Sequence, residues 1–275
     1  MRVALTDVGR CGKLDLVFAA RGGQTILLDS YCEVPFKITR TLSSATGGIA
    51  HIMLMHCTAG VFGGDRLEMT VRVQRGARVR MTQQSATRVH PSEGRIAVQT
   101  TRVHVESGGE LEFLLDPVIP FAESRFQQST SIDLEQGARL RYWEGLMAGR
   151  IGRGEVWKFD ELSSETSLKC EGRLLFLDRL HLRPRHSMPS TRWGMGSGTY
   201  TGTGLYVGDD AAEFAGALHE ALPKAGVDVL EKRLAAMRVV TMDGPAFHHA
   251  RSLFCALSRA FRCREVLRPE GAHGE

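Results

Sequence analysis

The fold is decided by three stretches that follow one pattern: Val71-Arg-Val-Gln-Arg-Gly-Ala-Arg-Val-Arg-Met81, Val103-His-Val-Glu-Ser-Gly-Gly-Glu-Leu-Glu-Phe113 and Ile132-Asp-Leu-Glu-Gln-Gly-Ala-Arg-Leu-Arg-Tyr142. In each stretch, two alternating apolar residues precede a glycine and two more follow it. Alternation with a period of two is typical of strands, and a glycine between two such runs indicates a tight turn. Each copy therefore predicts a strand, a turn and a second strand.

The repetition predicts a stack of such units. A single hairpin cannot bury its apolar face, whereas stacked copies bury one face against each other. Residues 1–207 are therefore predicted to form a mainly β body of layered sheets with β-helix-like repeats. A shortened fourth copy is predicted at residues 168–176.

The sequence changes character after Gly208. Residues 208–268 are predicted as a C-terminal region with two helices, and residues 270–275 as a loose tail. The first helix is predicted at 211–222, where Pro223 stops it, and Asp243-Gly-Pro245 opens the second. Residues 227–237 are ambiguous, and 239–242 predict a strand. The chain as a whole is predicted to be a single domain.

The second helix carries an apolar stripe with a spacing of three and four residues: Phe247, Ala250, Leu253, Phe254, Leu257 and Phe261. Arg251, Arg259 and Arg262 lie outside this stripe. Two interpretations stay open. Either the stripe only packs the helix on the β body, or the helix also docks a partner protein through these arginines.

The composition is that of an ordinary globular protein, with 43% hydrophobic and 24% charged residues among 275. A formal net charge of +4 is far below that of a dedicated nucleic-acid-binding protein. The sequence shows no signal peptide and no apolar run long enough to cross a bilayer. The six cysteines form no Cys-x-x-Cys pair. We expect a cytoplasmic protein with free thiols, no nucleic-acid partner and no membrane contact.

Motifs for catalysis are missing. The sequence has no Walker A loop, no Gly-x-Ser-x-Gly nucleophile elbow and no His-Glu-x-x-His. His56 and Cys57 are weak candidates for binding nickel, copper or zinc, although an ordinary core histidine and cysteine explain them as well. On a strand, His51 and His56 point to opposite faces. These observations favour a protein that is not an enzyme.

Two polar motifs occur in the repeat region. Gly63-Gly64-Asp65 predicts a turn in which Asp65 accepts hydrogen bonds from nearby amides. Glu144 follows a large aromatic residue at the end of a predicted strand, which indicates partial burial. A buried carboxylate needs a partner, and Arg150 is the candidate.

Five motifs occur in one order over roughly residues 40–182: His56-Cys-Thr-Ala-Gly-Val-Phe-Gly-Gly-Asp-Arg66, Thr82-Gln-Gln-Ser-Ala-Thr-Arg88, Pro117-Val-Ile-Pro-Phe121, Trp143-Glu-Gly-Leu-Met-Ala-Gly-Arg150 and Gly172-Arg-Leu-Leu-Phe-Leu-Asp178. Together they resemble the UreD (UreH) family of urease accessory proteins. The chain departs from the family pattern at Asp116-Pro-Val118 and lacks the usual Pro-x-Ile-Trp ending.

The resemblance implies an all-β body with two helices and no catalysis. Proteins of this family act as scaffolds that bind apo-urease and the accessory protein UreF, which recruits the GTPase UreG, and the assembly passes nickel to urease. No tightly bound cofactor is implied, only transient nickel. Asp65, Glu144, Arg150 and Asp178 are then candidates for a polar conduit or for partner contacts.

Two other functions stay open from the residues alone. A metal-dependent hydrolase would use His51, His56, Asp65 and Glu144. A generic β-rich binding module, such as a carbohydrate-binding domain, would present an exposed aromatic platform, yet only 7% of the residues are aromatic.

Overall fold

The computed structural model describes residues 9–39, 42–43, 48–191 and 194–266. Within them, the helices are α1 (Ala211–Ala221) and α2 (Gly244–Val266), and a short 3-10 turn spans Ile151–Arg153. The strands of the same residues are β1 (Cys11–Arg21), β2 (Gln24–Cys32), β3 (Phe36–Ile38), β4 (Leu42–Ser43), β5 (Ile49–His56), β6 (Arg66–Val73), β7 (Arg78–Gln83), β8 (Thr87–Val89), β9 (Ala97–Val105), β10 (Glu110–Leu114), β11 (Val118–Pro120), β12 (Arg125–Leu134), β13 (Arg139–Met147), β14 (Glu161–Cys170), β15 (Arg173–Leu182), β16 (Tyr200–Val207), β17 (Gly226–Glu231) and β18 (Leu234–Thr241).

Two sheets enclose the main core. The first has the strand order β15-β14-β12-β9-β6-β1-β2, and the second has the order β17-β18-β16-β13-β10-β7-β5-β3. The chain crosses from the first sheet to the second and back, so β6, β9, β12 and β14 pair in parallel, as do β5, β7, β10 and β13. The predicted fold class, mainly β with stacked β-helix-like repeats and two helices, is confirmed.

The three repeat copies are three successive coils of this stack. In the first sheet, Val103 pairs with Val71 on one side and with Ile132 on the other. The second sheet repeats the arrangement with Val79, Leu111 and Leu140. All six side chains are buried, so equivalent apolar residues form continuous rows between the sheets.

A glycine turns the corner of each coil. Gly76, Gly108 and Gly137 have φ angles of +70°, +68° and +78°, a region that favours glycine. In every corner, the residue after the glycine donates its N–H to the carbonyl three residues earlier, over 2.8 to 3.0 Å. The equivalence of the three turns, which the sequence predicts, is confirmed.

The prediction of a fourth strand–turn–strand copy at residues 168–176 is wrong for the second strand. Leu168 pairs with Ile132 and extends the first sheet in register. The chain then folds straight back as the antiparallel hairpin of β14 and β15, instead of crossing to the second sheet. This copy is one residue shorter before Gly172, and both Glu171 and Gly172 have positive φ (51° and 74°), which suits a tight hairpin. The coils of the stack therefore end at this shortened copy.

Residues 208–268, predicted as a helical region, also contain strands. The ambiguous residues 227–237 form most of β17 and the start of β18, and β16, β17 and β18 extend the second sheet by antiparallel pairing. Both helices pack against this part of the second sheet, on its outer face.

The apolar stripe of α2 faces the second sheet. Phe247 and Phe254 are buried, and their ring centroids lie 5.8 and 5.5 Å from that of Trp143. Glycines in the strands make room for these rings, since a Cβ atom at Gly202 would lie 2.7 Å from Trp143 and one at Gly204 would lie 2.7 Å from Phe254. The stripe therefore packs the helix on the β body, which both interpretations require, and docking of a partner by the same helix stays a prediction.

The corner glycines generate a prediction about stability. Gly108→Val is expected to lower the free energy of unfolding by about 1–3 kcal/mol, because a β-branched residue is strained at positive φ. No atom of the described residues lies within 4 Å of a Cβ built at Gly108, so the cost comes from the backbone and not from a clash. Gly216→Ala, in α1 and equally open, should instead stabilise by up to about 1 kcal/mol. Urea unfolding of both variants checks this, and equal effects would contradict it.

Candidate functional site

Polar side chains interrupt the core on the inner face of the first sheet. In-register pairing places Gln99, Gln128 and Ser164 in one row, and the next row holds Thr101, Thr130 and Thr166. Gln128 Nε2 donates to Ser164 Oγ over 2.8 Å. Gln99 Oε1 is buried and has no hydrogen-bond partner among the described residues. A buried acceptor of this kind is available to bind water or a cation.

Glu144 reaches these rows from the second sheet. Its Oε2 accepts a hydrogen bond from the Tyr142 hydroxyl over 2.8 Å, and Thr166 Oγ1 lies 3.0 and 3.1 Å from its two carboxylate oxygens. Burial raises the pKa of Glu144, although the Tyr142 and Thr166 hydroxyls oppose the shift. The structure thus holds a carboxylate between the sheets with neutral hydroxyls as its direct partners.

Two narrow cavities meet at Glu144. Each has a volume of about 30 Å³, which is enough for one or two water molecules. Gln128, Glu144 and Gly145 line both of them. The polar lining of the first cavity also includes Gln83, Gln99, Asp116, Thr130 and His56, and that of the second includes Ser164, Asp178, Thr201, Thr203 and Arg238.

Asp178 and Arg238 form an ion pair at the end of the second cavity. Asp178 belongs to β15 of the first sheet and Arg238 to β18 of the second, so the pair joins the two sheets. The side chains are 23% and 41% exposed, which places this end of the cavity close to solvent.

His56 also lines the first cavity, and its ring packs edge-on against Phe36. Burial lowers the pKa of His56, and the charge of nearby Asp65 opposes the shift. A neutral imidazole can coordinate a metal ion. Asp65 itself is buried, and its two oxygens accept N–H bonds from Arg10 and Phe62, each over 2.9 Å. The predicted role of Asp65 in fixing a turn is confirmed.

Arg150 is not the partner of Glu144, so that prediction is wrong. The Arg150 guanidinium binds Glu155, with 2.7 Å between Nε and Oε2, and lies 4.1 Å from the centroid of the Phe121 ring. The locations of the two residues in the fold explain why they do not meet. Arg150 follows the end of β13, whereas Glu144 points inward between the sheets.

The predicted metal ligands are not brought together. Cys57 is exposed, while His56 lines the interior cavity. His51 bonds Thr82 Oγ1 over 3.0 Å through Nε2, near Arg80. In the part of the chain that the structure describes, no group of three or more His, Cys, Asp and Glu side chains could hold a metal. The constellation that a hydrolase would need is therefore not assembled.

Two of the three arginines of α2 are not free to meet a partner, which corrects the sequence-based expectation. Arg251 Nη1 lies 2.7 Å from Asp116 Oδ1, and Arg262 Nε lies 3.1 Å from Glu110 Oε1. These ion pairs fasten α2 to the second sheet. Arg259 is exposed and has no hydrogen bond or ion pair with any residue that the structure describes.

Sequence reasoning missed Gln128, Thr166 and Arg238. A signal existed for the first two, because extending the repeat pattern toward the N-terminus places them at inward positions of β12 and β14. Arg238 has no local signal, since its partner Asp178 is 60 residues away.

Comparison with known proteins assigns the chain to a family. The family model described as "UreD urease accessory protein" matches residues 10–272. The chain belongs to the UreD family. It is 36% identical over 253 residues to the urease accessory protein UreD of Deinococcus radiodurans, which covers 90% of each chain. It is 33% identical over 256 residues to the urease accessory protein UreD 2 of Streptomyces griseus, covering 86% of this chain and 84% of the relative.

UreD proteins are non-catalytic chaperones in urease maturation, so this chain is an accessory protein and not an enzyme. The motifs that carry the sequence resemblance therefore identified the correct family. Neither helix in the described part of the chain combines the length and the apolar character that a membrane crossing needs.

The raised pKa of Glu144 generates a prediction about pH. A carboxyl group with a raised pKa in the folded state stabilises the fold below its unfolded pKa, and this contribution is lost as the pH rises through the folded pKa. The glutamine side chain of the Glu144→Gln variant cannot ionise, so the variant does not lose this stabilisation as the pH rises. The variant should therefore gain stability relative to the wild type between about pH 4 and about pH 8.

Urea unfolding at both pH values checks this prediction. Glu165→Gln serves as the control, because Glu165 is paired with Arg179 and 44% exposed. A stability difference between Glu144→Gln and the wild type that is the same at both pH values would contradict the account.

Proposed function

We propose that the chain is a scaffold for the insertion of nickel into apo-urease, and that the two cavities meeting at Glu144 form part of the path of the ion. One observation carries the proposal. Oxygen and nitrogen donors, among them His56 in one cavity and Asp178 in the other, line two cavities that share Gln128 and Glu144, in the space between two sheets that are otherwise packed by apolar side chains.

The donor types fit a divalent ion in transit. Imidazole, carboxylate, amide and hydroxyl groups all bind nickel, and the lining contains each of them. The donors are spread along the path instead of being gathered at one point, so no position offers a complete ligand set. Weak ligation supports a conduit, because tight binding would trap the ion. Nickel is thus the cargo of the protein, and no resident cofactor is proposed.

The size of the cavities limits the form in which nickel travels. Since each cavity has room for one or two water molecules, an ion inside it must give up most of its hydration shell. The Glu144 carboxylate would replace part of that shell at the point where the cavities meet. A charged group retained between the sheets at a cost in stability is typical of a functional position.

The proposed partners are apo-urease, a UreF-type accessory protein and, through the complex, a UreG-type GTPase, all in the cytoplasm. The sequence contains no phosphate-binding loop, so the energy for an ordered transfer comes from another protein of the complex. The role of this chain is then to bind its partners and to provide the path.

Removing the carboxylates of the path should reduce nickel delivery. Glu144→Gln and Asp178→Asn, each co-expressed with urease and the other accessory proteins, are expected to lower the nickel content of purified urease about tenfold or more. Both changes preserve shape and remove one negative charge. Nickel is measured by mass spectrometry of the metal, together with urease activity.

The control is Glu165→Gln, which removes an exposed carboxylate from the ion pair with Arg179 and should leave the nickel content unchanged. A folded Glu144→Gln protein that delivers as much nickel as the wild type would rule out the path. A wild-type chain that does not raise the nickel content of urease would rule out the function itself.

A further inference from the structure

A groove runs along the junction of α2 with β5 and β7. It has a volume of about 430 Å³ and is open on one side. Met53 and Gln83 contribute to one wall, and Arg251, Cys255 and Arg259 of α2 to the other. Since these helix residues are spaced by four, they belong to one face of α2. The buried stripe of the same helix, with Phe247 and Phe254, packs on the second sheet.

The charge of the groove is one-sided. Among the residues that the structure describes, its lining contains two guanidinium groups and no carboxylate. Arg251 is neutralised by Asp116, which is not part of the lining, whereas Arg259 makes no ion pair with any described residue. Arg259 also lies near His51, whose pKa is lowered by burial and further by Arg80 and Arg259, while the charge of Glu112 opposes the shift. An uncompensated positive charge therefore lies at the edge of a partly apolar groove.

The groove adjoins the interior cavity. Gln83 lines both spaces, and Asp116, which lines the cavity, binds Arg251, which lines the groove. A protein segment bound here would lie one side chain away from the path proposed for nickel.

We propose that this groove binds an acidic segment of a partner protein in the maturation complex, with a carboxylate of the segment on Arg259 and an aliphatic side chain on Met53. The inference rests on the proposed function and names the surface and the chemistry of the contact. Because the uncompensated charge at the groove is positive, a complementary segment carries negative charge. The flexible thioether of Met53 can adapt to the shape of an apolar side chain.

A small anion is a poorer occupant than a protein segment. One exposed guanidinium gives a phosphate a single charged anchor, and the groove lies along the side of α2 and not at its N-terminus, where backbone amides collect anions. The lining also includes Met53, Leu114 and Ala256, which offer nothing to a phosphate.

The first experiment measures binding of the full-length chain to the UreF-type protein and to apo-urease by size-exclusion chromatography and calorimetry. Arg259→Glu is expected to weaken one of these interactions about tenfold, because it replaces attraction with repulsion, whereas Arg259→Lys should retain most of the affinity. Arg179→Glu, on β15 and 69% exposed, is the matched control and should have no effect.

The second experiment identifies the occupant. A photo-crosslinking amino acid at Ala256, which lines the groove, should label a partner peptide that contains aspartate or glutamate within a few residues of the crosslink. The same amino acid at Ala212, an exposed position of α1, should not label that peptide.

The outcomes separate this inference from the function on which it rests. If the partners bind the wild type and Arg259→Glu equally, the proposed binding at the groove is contradicted and the scaffold role stays intact. A crosslink to a peptide without acidic residues would have the same meaning. Release of the partner by phosphate at constant ionic strength would mean that the groove binds a small anion, which also contradicts the inference. A wild-type chain that binds neither partner would overturn both proposals.

Discussion

Each coil of the stack turns its corner at a glycine with positive φ, and every other feature of the β body depends on the register that this corner imposes. Because Gly76, Gly108 and Gly137 adopt the same conformation, the strands on both sides of them pair in parallel without a shift. Equivalent residues of successive coils therefore form rows. The apolar row of Val71, Val103 and Ile132 forms part of the core, and the polar row of Gln99, Gln128 and Ser164 contributes to the lining of the cavities. One geometric rule thus produces both the stability of the body and its polar interior.

The same register organises charge on the outer face of the second sheet. It places Glu110 between Arg78 and Arg139, and Glu112 between Arg80 and Arg141, so that charges alternate across three strands. Helix α2 adds Arg262, which contacts both glutamates. The cluster is largely buried: the pKa of Glu112 lies below its usual range, because its ion pair with Arg80 and the nearby arginines outweigh the effect of burial. Arg251 and Arg262 therefore hold the helix on the second sheet through ion pairs, and Arg259 faces the groove.

The sequence predicts those parts of this structure that are set within one coil. Alternation and glycine position predict the strand pairs of the three repeats, and the stripe of α2 predicts its buried face. Sequence patterns do not predict contacts in which a residue meets a strand that is distant in the chain. The partner of Glu144 is Thr166 on the facing sheet and not Arg150 nearby in sequence, and Asp178 meets Arg238 across the two sheets. The fourth repeat shows a different limit, since the copy at residues 168–176 is two residues shorter than the others and forms a hairpin instead of a corner. Aligning the copies farther toward the N-terminus would have revealed the polar rows, because their register follows from the same pairing.

The central claim is that nickel passes through the interior of this protein and not across the surrounding solvent. The most direct measurement loads the assembled accessory complex with radiolabelled nickel, adds excess EDTA, starts transfer with GTP and counts the label in urease. If the ion travels inside, the label should reach urease in amounts that EDTA does not reduce in the wild type, while Glu144→Gln should deliver little with or without EDTA. If EDTA at a concentration that removes free nickel abolishes the transfer by the wild type, the ion enters solvent on its way, and the account is contradicted.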